Sequence, residues 1–419
     1  MKLLIAADPH VDFETNLSPL KEFYSFAEEK KPDLIILLGD ISAAGFESVR
    51  YATKYQELAD RIDPIVEKSI CLKYAIEFSD LSPAEIREEM SDIAGYIATY
   101  SPYDDHVHWR EISEVYMEFI KHITTRLKRS YTPIKRVIKT QRDKTIAIPG
   151  DHDYYLDKAG LKGINLHKKT RRIHGLKLSG YGGAAGRDGV PRFKGIPPEL
   201  TTPFNEYPTR QWVREGSDDI GHLEAKLVSE PRDFLEQAQP DIALLHTPLY
   251  GLMDLPGRLL EEDIPEEAKH IGSIPLRQYA ETGKTKVFLF GHVHDCQGVE
   301  KIPRNDNEFV VAINPGALGD TEFVPGGYFA EVEIDDSTKE FVSAKFYEIL
   351  KGGGITPNSL YVRRGTLIDR IDIKGTTTAY AAIQQNPGSL IIQPSSDELR
   401  SEDNPAFQKF LEDMRRLKD

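Results

Sequence analysis

Cysteine is almost absent: Cys71 and Cys296 are the only two in 419 residues, and they stand far apart. That excludes a disulfide framework and a cysteine-built zinc site, and it fits a reducing compartment. No apolar stretch approaches the length of a membrane span. The opening run, Met1 to Ala7, carries charge at Lys2 and stops at Asp8, too short for a secretory signal. Basic charge is also in deficit, with 53 Lys and Arg against 67 Asp and Glu and a formal net charge of −14. A globally basic nucleic-acid coat protein is thereby excluded, although a local basic surface is not. Internal repeats and low-complexity tracts are lacking. A soluble, cytoplasmic protein without membrane association is expected, and the sequence leaves its oligomeric state open.

What is present is enough apolar residue, 40% of the chain, to bury a sizeable core. Leu3 to Ala7 reads as a buried strand. Ser18-Pro19 then reads as a helix N-cap followed by proline at the first helical position, with Leu20, Phe23, Phe26 and Ala27 forming one apolar stripe. Leu34 to Leu38 is a second buried strand, so the opening is a βαβ unit and the fold class α/β. From Phe46 to Lys144 the periodicity turns helical, which predicts a large insertion over 46–144. Strands are expected at Thr145–Ile148, Leu176–Gly180, Ile242–Leu245, Val287–Phe290 and Val310–Ile313, and an antiparallel pair at Tyr328–Ile334 and Phe341–Ile349. Gly352-Gly353-Gly354 reads as a flexible joint. It would separate a main domain, 1–350, from a small C-terminal extension, 355–419, with a strand at Leu390–Gln393 and a helix opening at Asn404-Pro405.

Chemistry gathers where strand-like runs stop. The first run delivers Asp8 and His10, the second Gly39-Asp40, and the third Gly150-Asp151-His152-Asp153. Later runs deliver His246 and Gly291-His292-Val293-His294. In open α/β sheets, ligands bind beyond the carboxyl ends of strands. Carboxylates mixed with imidazoles suit Mn²⁺, Fe or Zn²⁺ better than Ca²⁺, which prefers oxygen alone. Each motif alone is commonplace, but five in order at five strand ends are not.

In that order the set resembles the calcineurin-like metallophosphoesterase family, over Met1 to about Leu350 apart from the insertion. The resemblance implies a β-sandwich flanked by helices with two divalent ions between the sheets. It implies that Asp8, His10 and His294 hold one ion, that Asp40 bridges, and that Asp151, His246 and His292 hold the other. It further implies hydrolysis of a phosphoester by a water activated between the two ions, Mn²⁺ being the expected metal. His152 matches the family's non-ligand histidine beside the scissile phosphate, suited to stabilise charge or protonate the leaving group. Asp153 would orient His152 or cap a helix. Asn314-Pro315-Gly316-Ala317 resembles a turn that follows the last ligand strand, and reads equally well as an ordinary turn. One position departs from the family: Asp151 stands where asparagine is usual, which adds a carboxylate to the ligand set and leaves the native metal open.

Substrate choice is expected to lie with the insertion. Lys121 to Lys144 holds nine Lys or Arg against the single acid Asp143, and Lys168, Lys169, Arg171 and Arg172 follow the Asp151 motif. Lys128, Arg129, Lys135, Arg136 and Lys139 are the candidate substrate-binding residues, for a polyanion drawn to a groove beside the metals. A solvated basic helix explains the same residues equally well. Asp104-Asp105-His106 with His108 lacks further ligands, and Tyr100, Tyr103 and Trp109 read as packing. The expected activity is a phosphodiesterase on nucleic acid or nucleotides. The alternatives are a phosphomonoesterase, including a protein phosphatase, and a non-catalytic scaffold of the same fold; intact ligand positions argue against the scaffold.

Overall fold

The computed structural model describes residues 1–11, 16–43, 107–184, 210–214, 223–227, 230–257, 269–305, 308–319 and 326–373. The helical reading over 46–106, the Asp104 to His106 cluster, Cys71 and the C-terminal strand and helix lie outside these residues. So do the side chains of His108 and Trp109.

In chain order the elements are β1 (Lys2–Ala6), α1 (Leu17–Lys30), β2 (Leu34–Leu38), α2 (Val107–Ile138), β3 (Thr145–Ile148), β4 (Lys169–Ile173) and β5 (Leu176–Tyr181). Then come β6 (Arg210–Arg214), β7 (Leu223–Leu227), α3 (Glu230–Ala238), β8 (Ile242–Leu245), α4 (Ile274–Thr282) and β9 (Val287–Leu289). The rest are β10 (Gly298–Asn305), β11 (Glu308–Asn314), β12 (Gly327–Ile334), β13 (Phe341–Ile349), β14 (Ile355–Arg364) and β15 (Leu367–Asp372). A seven-stranded sheet runs β15-β14-β13-β12-β1-β2-β3 and a six-stranded sheet runs β10-β11-β9-β8-β5-β4, while β6 and β7 pair with each other. Both large sheets are mixed. In the first, β1, β2 and β3 are parallel and the remainder antiparallel; in the second, β5, β8, β9 and β11 are parallel between antiparallel edges.

Side chains alternate across each strand, and here both sides are dry. Leu3, Ile5, Leu34, Ile36 and Leu38 point into a core shared with Leu178, Ile242, Leu244, Val287 and Leu289 of the second sheet, so the two sheets pack face to face. Leu4, Ala6, Ile35 and Leu37 point the other way, onto Leu20, Phe23 and Ala27 of α1 and Leu127, Tyr131, Ile134 and Ile138 of α2. On the second sheet Ala243, Leu245, Phe288 and Phe290 pack against Leu235 of α3 and Leu276 and Tyr279 of α4. Burial on both faces is why these strands are unbroken apolar runs in the sequence. Each aliphatic side chain of Leu34–Leu38, all buried, contributes about 1.5–3 kcal/mol of transfer free energy.

Three local expectations change. The first helix opens at Leu17 rather than after a Ser18 cap: Asn16 takes the cap position in a left-handed backbone (φ 57°), and Ser18 and Pro19 fall inside the first turn. The triple glycine is the turn of the β13–β14 hairpin, closed by Leu350 N–H to Gly354 O at 3.0 Å. Residues 355–373 accordingly add two strands to the first sheet. Among the described residues no helix is long and apolar enough to cross a membrane.

Candidate metal centre

Beyond the strand ends the backbone turns sharply. Asp8, His10, Asp40 and His292 all take left-handed φ values, 51°, 45°, 46° and 70°, a region costly for residues with a Cβ and concentrated at functional sites. The two loops after β1 and β2 hold each other: Asp8 N–H donates to Gly39 O at 3.1 Å, His10 N–H to Asp40 O at 2.8 Å and Val11 N–H to Ile41 O at 3.2 Å. Two glycines clear the space between sheets. A Cβ at Gly39 would collide with the His246 imidazole, and one at Gly150 with the Asp40 carboxylate.

Seven side chains from five loops meet there in two groups. Asp8, His10, Asp40 and His294 form one and Asp40, Asp151, His246 and His292 the other, with the ligand atoms of each within 4.8 Å of one another. In the first, His10 Nε2 lies 3.0 Å from His294 Nε2 and 3.6 Å from Asp40 Oδ2, and His294 Nε2 lies 3.7 Å from Asp8 Oδ1. In the second, His246 Nε2 lies 2.9 Å from Asp151 Oδ1 and 3.5 Å from Asp40 Oδ2, and His292 Nδ1 lies 3.2 Å from Asp151 Oδ1. Asp40 belongs to both.

The donor set fits divalent cations. Three carboxylates crowd together, with Asp8 and Asp40 almost fully buried, an arrangement whose mutual repulsion a cation relieves. His246 is the sharpest indicator. Its Nδ1 lies 2.7 Å from Leu38 O, a carbonyl that can only accept, so Nδ1 carries the proton and Nε2 faces Asp151 and Asp40. Two carboxylates around a neutral lone pair require a positive charge between them, either a proton or a metal. Burial alone would lower the His246 pKa, but Asp40 and Asp151 carry it well above the ordinary value. At the other group, burial pushes His10 down to about 4 and His294 down to about 3, which leaves both imidazoles neutral with lone pairs to offer. Burial raises Asp8 well above the usual carboxylate range, whereas His246 and His152 outweigh burial at Asp40 and hold it below that range.

His152 stands beside the cluster and in neither group. Its side chain is 41% exposed, its Nε2 is 3.6 Å from Asp151 Oδ2, and its ring meets that of His10 edge-on at 5.4 Å. Its backbone N–H donates to Asp40 Oδ1 at 2.8 Å. Asp153 neither orients His152 nor caps a helix. Its buried carboxylate accepts from the backbone N–H groups of Ile41 (3.0 Å), Ser42 (3.0 Å) and Gly150 (2.9 Å) and from Tyr131 Oη (2.7 Å). It therefore pins the Asp40 loop to the Asp151 loop and both to α2. The Asn314 turn plays a matching part: Asn314 Nδ2 donates to Val293 O at 3.0 Å and Ala317 N–H to His294 O at 3.3 Å, which fixes the loop of His292 and His294.

The candidate basic residues are spread along α2 and just beyond it, and none belongs to the two ligand groups. On α2, Ser130 is bonded to Ser42 at 3.0 Å and Tyr131 to Asp153 at 2.7 Å. The helix then runs toward the opposite end of the strands, where Thr140 Oγ1 donates to Glu28 and Lys144 Nζ to Pro32 O, just before β2 begins. At about 1.5 Å per residue, the end of α2 at Ile138, just before Lys139, lies about 12 Å along the axis from Ser130. Lys128, Arg129, Arg136 and Lys139 are exposed, and Lys135 donates to Ala159 O at 3.0 Å. Lys168, Lys169, Arg171 and Arg172 lie on or beside edge strand β4, where Lys168 pairs with Glu230 and Lys169 with Asp157; charge on an edge strand opposes sheet-to-sheet pairing.

No family model and no curated protein matches this sequence. Among solved structures, a dimetal phosphatase from Danio rerio is similar at 10% identity and a TM-score of 0.28, covering 89% of this chain and 98% of its own. GAP50, the anchor in the inner membrane complex of Plasmodium, is similar at 12% identity and a TM-score of 0.31, covering 94% and 98%.

Proposed function

We propose that this chain is a two-metal phosphoesterase of the calcineurin-like kind, hydrolysing a phosphoester bond at the centre built on Asp40. The observation that supports it is the sharing of Asp40 between two ligand groups that five loops from both sheets assemble. Asp8, His10 and His294 would hold one ion with Asp40, and Asp151, His246 and His292 the other. When bound, such a pair supplies a water of lowered pKa and the positive charge that phosphoryl oxygens need. The protein's own part is positional. The left-handed turns at Asp8, His10, Asp40 and His292 aim the donors inward, and Leu38 O fixes the His246 tautomer. His152 is the exposed imidazole at the rim, placed to direct a proton or positive charge toward an oxygen on phosphorus. Asp151 makes the set one carboxylate richer than the family's usual asparagine and favours a hard cation, with Mn²⁺ first and Fe or Zn²⁺ next.

The basic residues Lys128, Arg129, Lys135, Arg136 and Lys139 belong to neither ligand group, so the substrate is proposed at the level of the phosphoester. The test is elemental analysis of the purified chain with a hydrolysis screen of the Mn²⁺-loaded protein. The screen compares an aryl monoester, a bis-aryl diester, cyclic nucleotides and short DNA and RNA. Two metal equivalents and turnover of at least one ester are expected. Absence of metal uptake would falsify the proposal, and uptake without turnover of any ester would return the scaffold reading.

A further inference from the structure

A second histidine–carboxylate arrangement lies outside the two ligand groups, on the segment that follows β8. Asp254 is 2% exposed in its side chain, and its Oδ1 stands 2.8 Å from His270 Nδ1. Its Oδ2 accepts from the backbone N–H groups of Gly251 at 2.9 Å and Gly272 at 3.2 Å. With both oxygens engaged by N–H donors the carboxylate cannot turn, so His270 must carry its proton on Nδ1. Tyr250 backs the imidazole, ring centroids 4.9 Å apart. The His270 side chain is 21% exposed, and among the described residues no group pairs with Nε2. A buried acid that fixes one ring nitrogen while the other stays accessible is the arrangement of a proton-transfer histidine.

The segment is anchored to the ligand loops at both ends. It begins at His246, four residues before Tyr250. At its far side Gly257 N–H donates to Asp295 Oδ2 at 2.7 Å, and Asp295 directly follows His294. Leu255 O accepts from Cys296 Sγ at 3.4 Å. The strand of chain that holds Asp254 thus spans from one metal-ligand loop to the next along the rim of the second sheet. The two halves of the lobe are joined by Tyr250 N–H to Ser273 O at 3.2 Å and Ser273 N–H to Pro248 O at 2.9 Å.

We infer that His270, steered by Asp254, is a proton-transfer residue of this centre that serves the leaving group, an inference that rests on the phosphoesterase reading. As the bond between phosphorus and the leaving oxygen breaks, its electron pair stays on that oxygen and takes the Nε2 proton of the doubly protonated imidazole. Neutral His270 keeps Nδ1–H on Asp254 and recovers its Nε2 proton from solvent. His152, on the loop after β3, is left to the charge on the phosphoryl oxygens.

Two measurements test this. In protein with isotope-labelled histidine, Mn²⁺ should broaden the His270 ring resonances by paramagnetic relaxation and Mg²⁺ should not. Exposed His174, in the turn that opens β5 at the other end of the sheet, should stay sharper than His270 throughout. His270 no broader than His174 would overturn the placement, whatever the enzyme's activity. Second, His270→Gln, with folding and metal content checked, should lose on the order of 100-fold in turnover of a phenyl phosphoester, within the range for general acid catalysis. It should lose only a few-fold on the 4-nitrophenyl ester, whose leaving group needs no proton. Equal losses on both esters would overturn the proton-transfer role. If wild type turns over no ester of the screen described above, the phosphoesterase reading fails and the proton role with it, while the broadening still reports where His270 lies.

Discussion

Tyr131 Oη donates to Asp153 Oδ1 at 2.7 Å and accepts from Tyr154 N–H at 2.8 Å, both inside the core. This hydroxyl is where α2 grips the ligand loops, because the same Asp153 carboxylate holds the backbone just after Asp40 and just before Asp151. Tyr131→Phe keeps the ring and deletes the grip, leaving Tyr154 N–H without its acceptor. The expected cost is about 1–3 kcal/mol of stability, read from the midpoint of urea unfolding. Metal-loaded protein should lose affinity for at least one ion in a calorimetric titration. A variant with wild-type midpoint and wild-type affinity would show the network to be incidental.

Asp40 is the single side chain common to both ligand groups. Asp40→Ala should therefore reduce bound metal from two equivalents to none, whereas His10→Ala should spare the second ion. Asp151→Asn should retain the fold and hold its ion less tightly, since one negative charge is gone and an oxygen ligand remains. Chelation of wild type should abolish turnover, and Mn²⁺ should restore it. Mass spectrometry under native conditions counts the ions directly; two ions retained by Asp40→Ala would remove it from the bridging position.

His152→Ala should keep both ions and lose roughly 10²–10⁴ in turnover, the range for a positioned proton donor or its equivalent. The 41% exposure of the ring predicts little change in folding stability, within about 0.5 kcal/mol. Metal loss in this variant would make His152 a ligand or a support.

The unbroken strands and the ligands at their ends were legible for one physical reason. Strands buried on both faces must be apolar throughout, as in Leu34–Leu38, so the first polar residue after the run marks the strand end and the site together. The same logic hides edge strands. Lys169–Ile173, four of whose five residues are exposed, and the half-exposed Leu367–Asp372 have no apolar run to announce them. Asp153 was placed beside His152 because they are adjacent in sequence, but adjacency does not fix direction, and its carboxylate points into the core. Lys128, Lys135 and Lys139 read as one patch in the sequence, although charge summed along a chain says nothing of how far the helix axis separates them. Asp254 and His270, sixteen residues apart, could have been flagged as an acid and a histidine following a ligand strand, although nothing in the sequence says that they meet.

Replacing Lys128, Arg129, Lys135, Arg136 and Lys139 together with glutamine should leave turnover of a small aryl ester within about two-fold. Four of the five are solvent-exposed, so the stability change should stay near the net value of one hydrogen bond, about 0.5–1.5 kcal/mol, from the Lys135 contact to Ala159. A filter-binding assay with single-stranded DNA at two salt concentrations checks the remaining point. A flatter salt dependence in the variant, with wild-type metal content, would restore these residues to polyanion binding.

His167 Nδ1 accepts from Gly182 N–H at 2.8 Å, and the ring packs beside Tyr181. Burial, followed by Lys168 and Lys169, pushes its pKa down to about 3. An imidazole in the unfolded chain titrates near 6.5, so between those values the unfolded state binds the extra proton. Stability therefore rises with pH across this window and falls as pH drops below about 6.5, with the full penalty reached near 3. At pH 5 this one group should cost about 1–2 kcal/mol relative to pH 7, from 1.36 kcal/mol per unit. Glutamine at 167 can still accept from Gly182 and does not titrate. His167→Gln should accordingly lose less stability between pH 7 and pH 5 than wild type, by about that amount, in urea melts at the two pH values. His167 belongs to neither ligand group, so the metal-free protein is the right sample. Parallel losses in variant and wild type would place the acid sensitivity elsewhere in the fold.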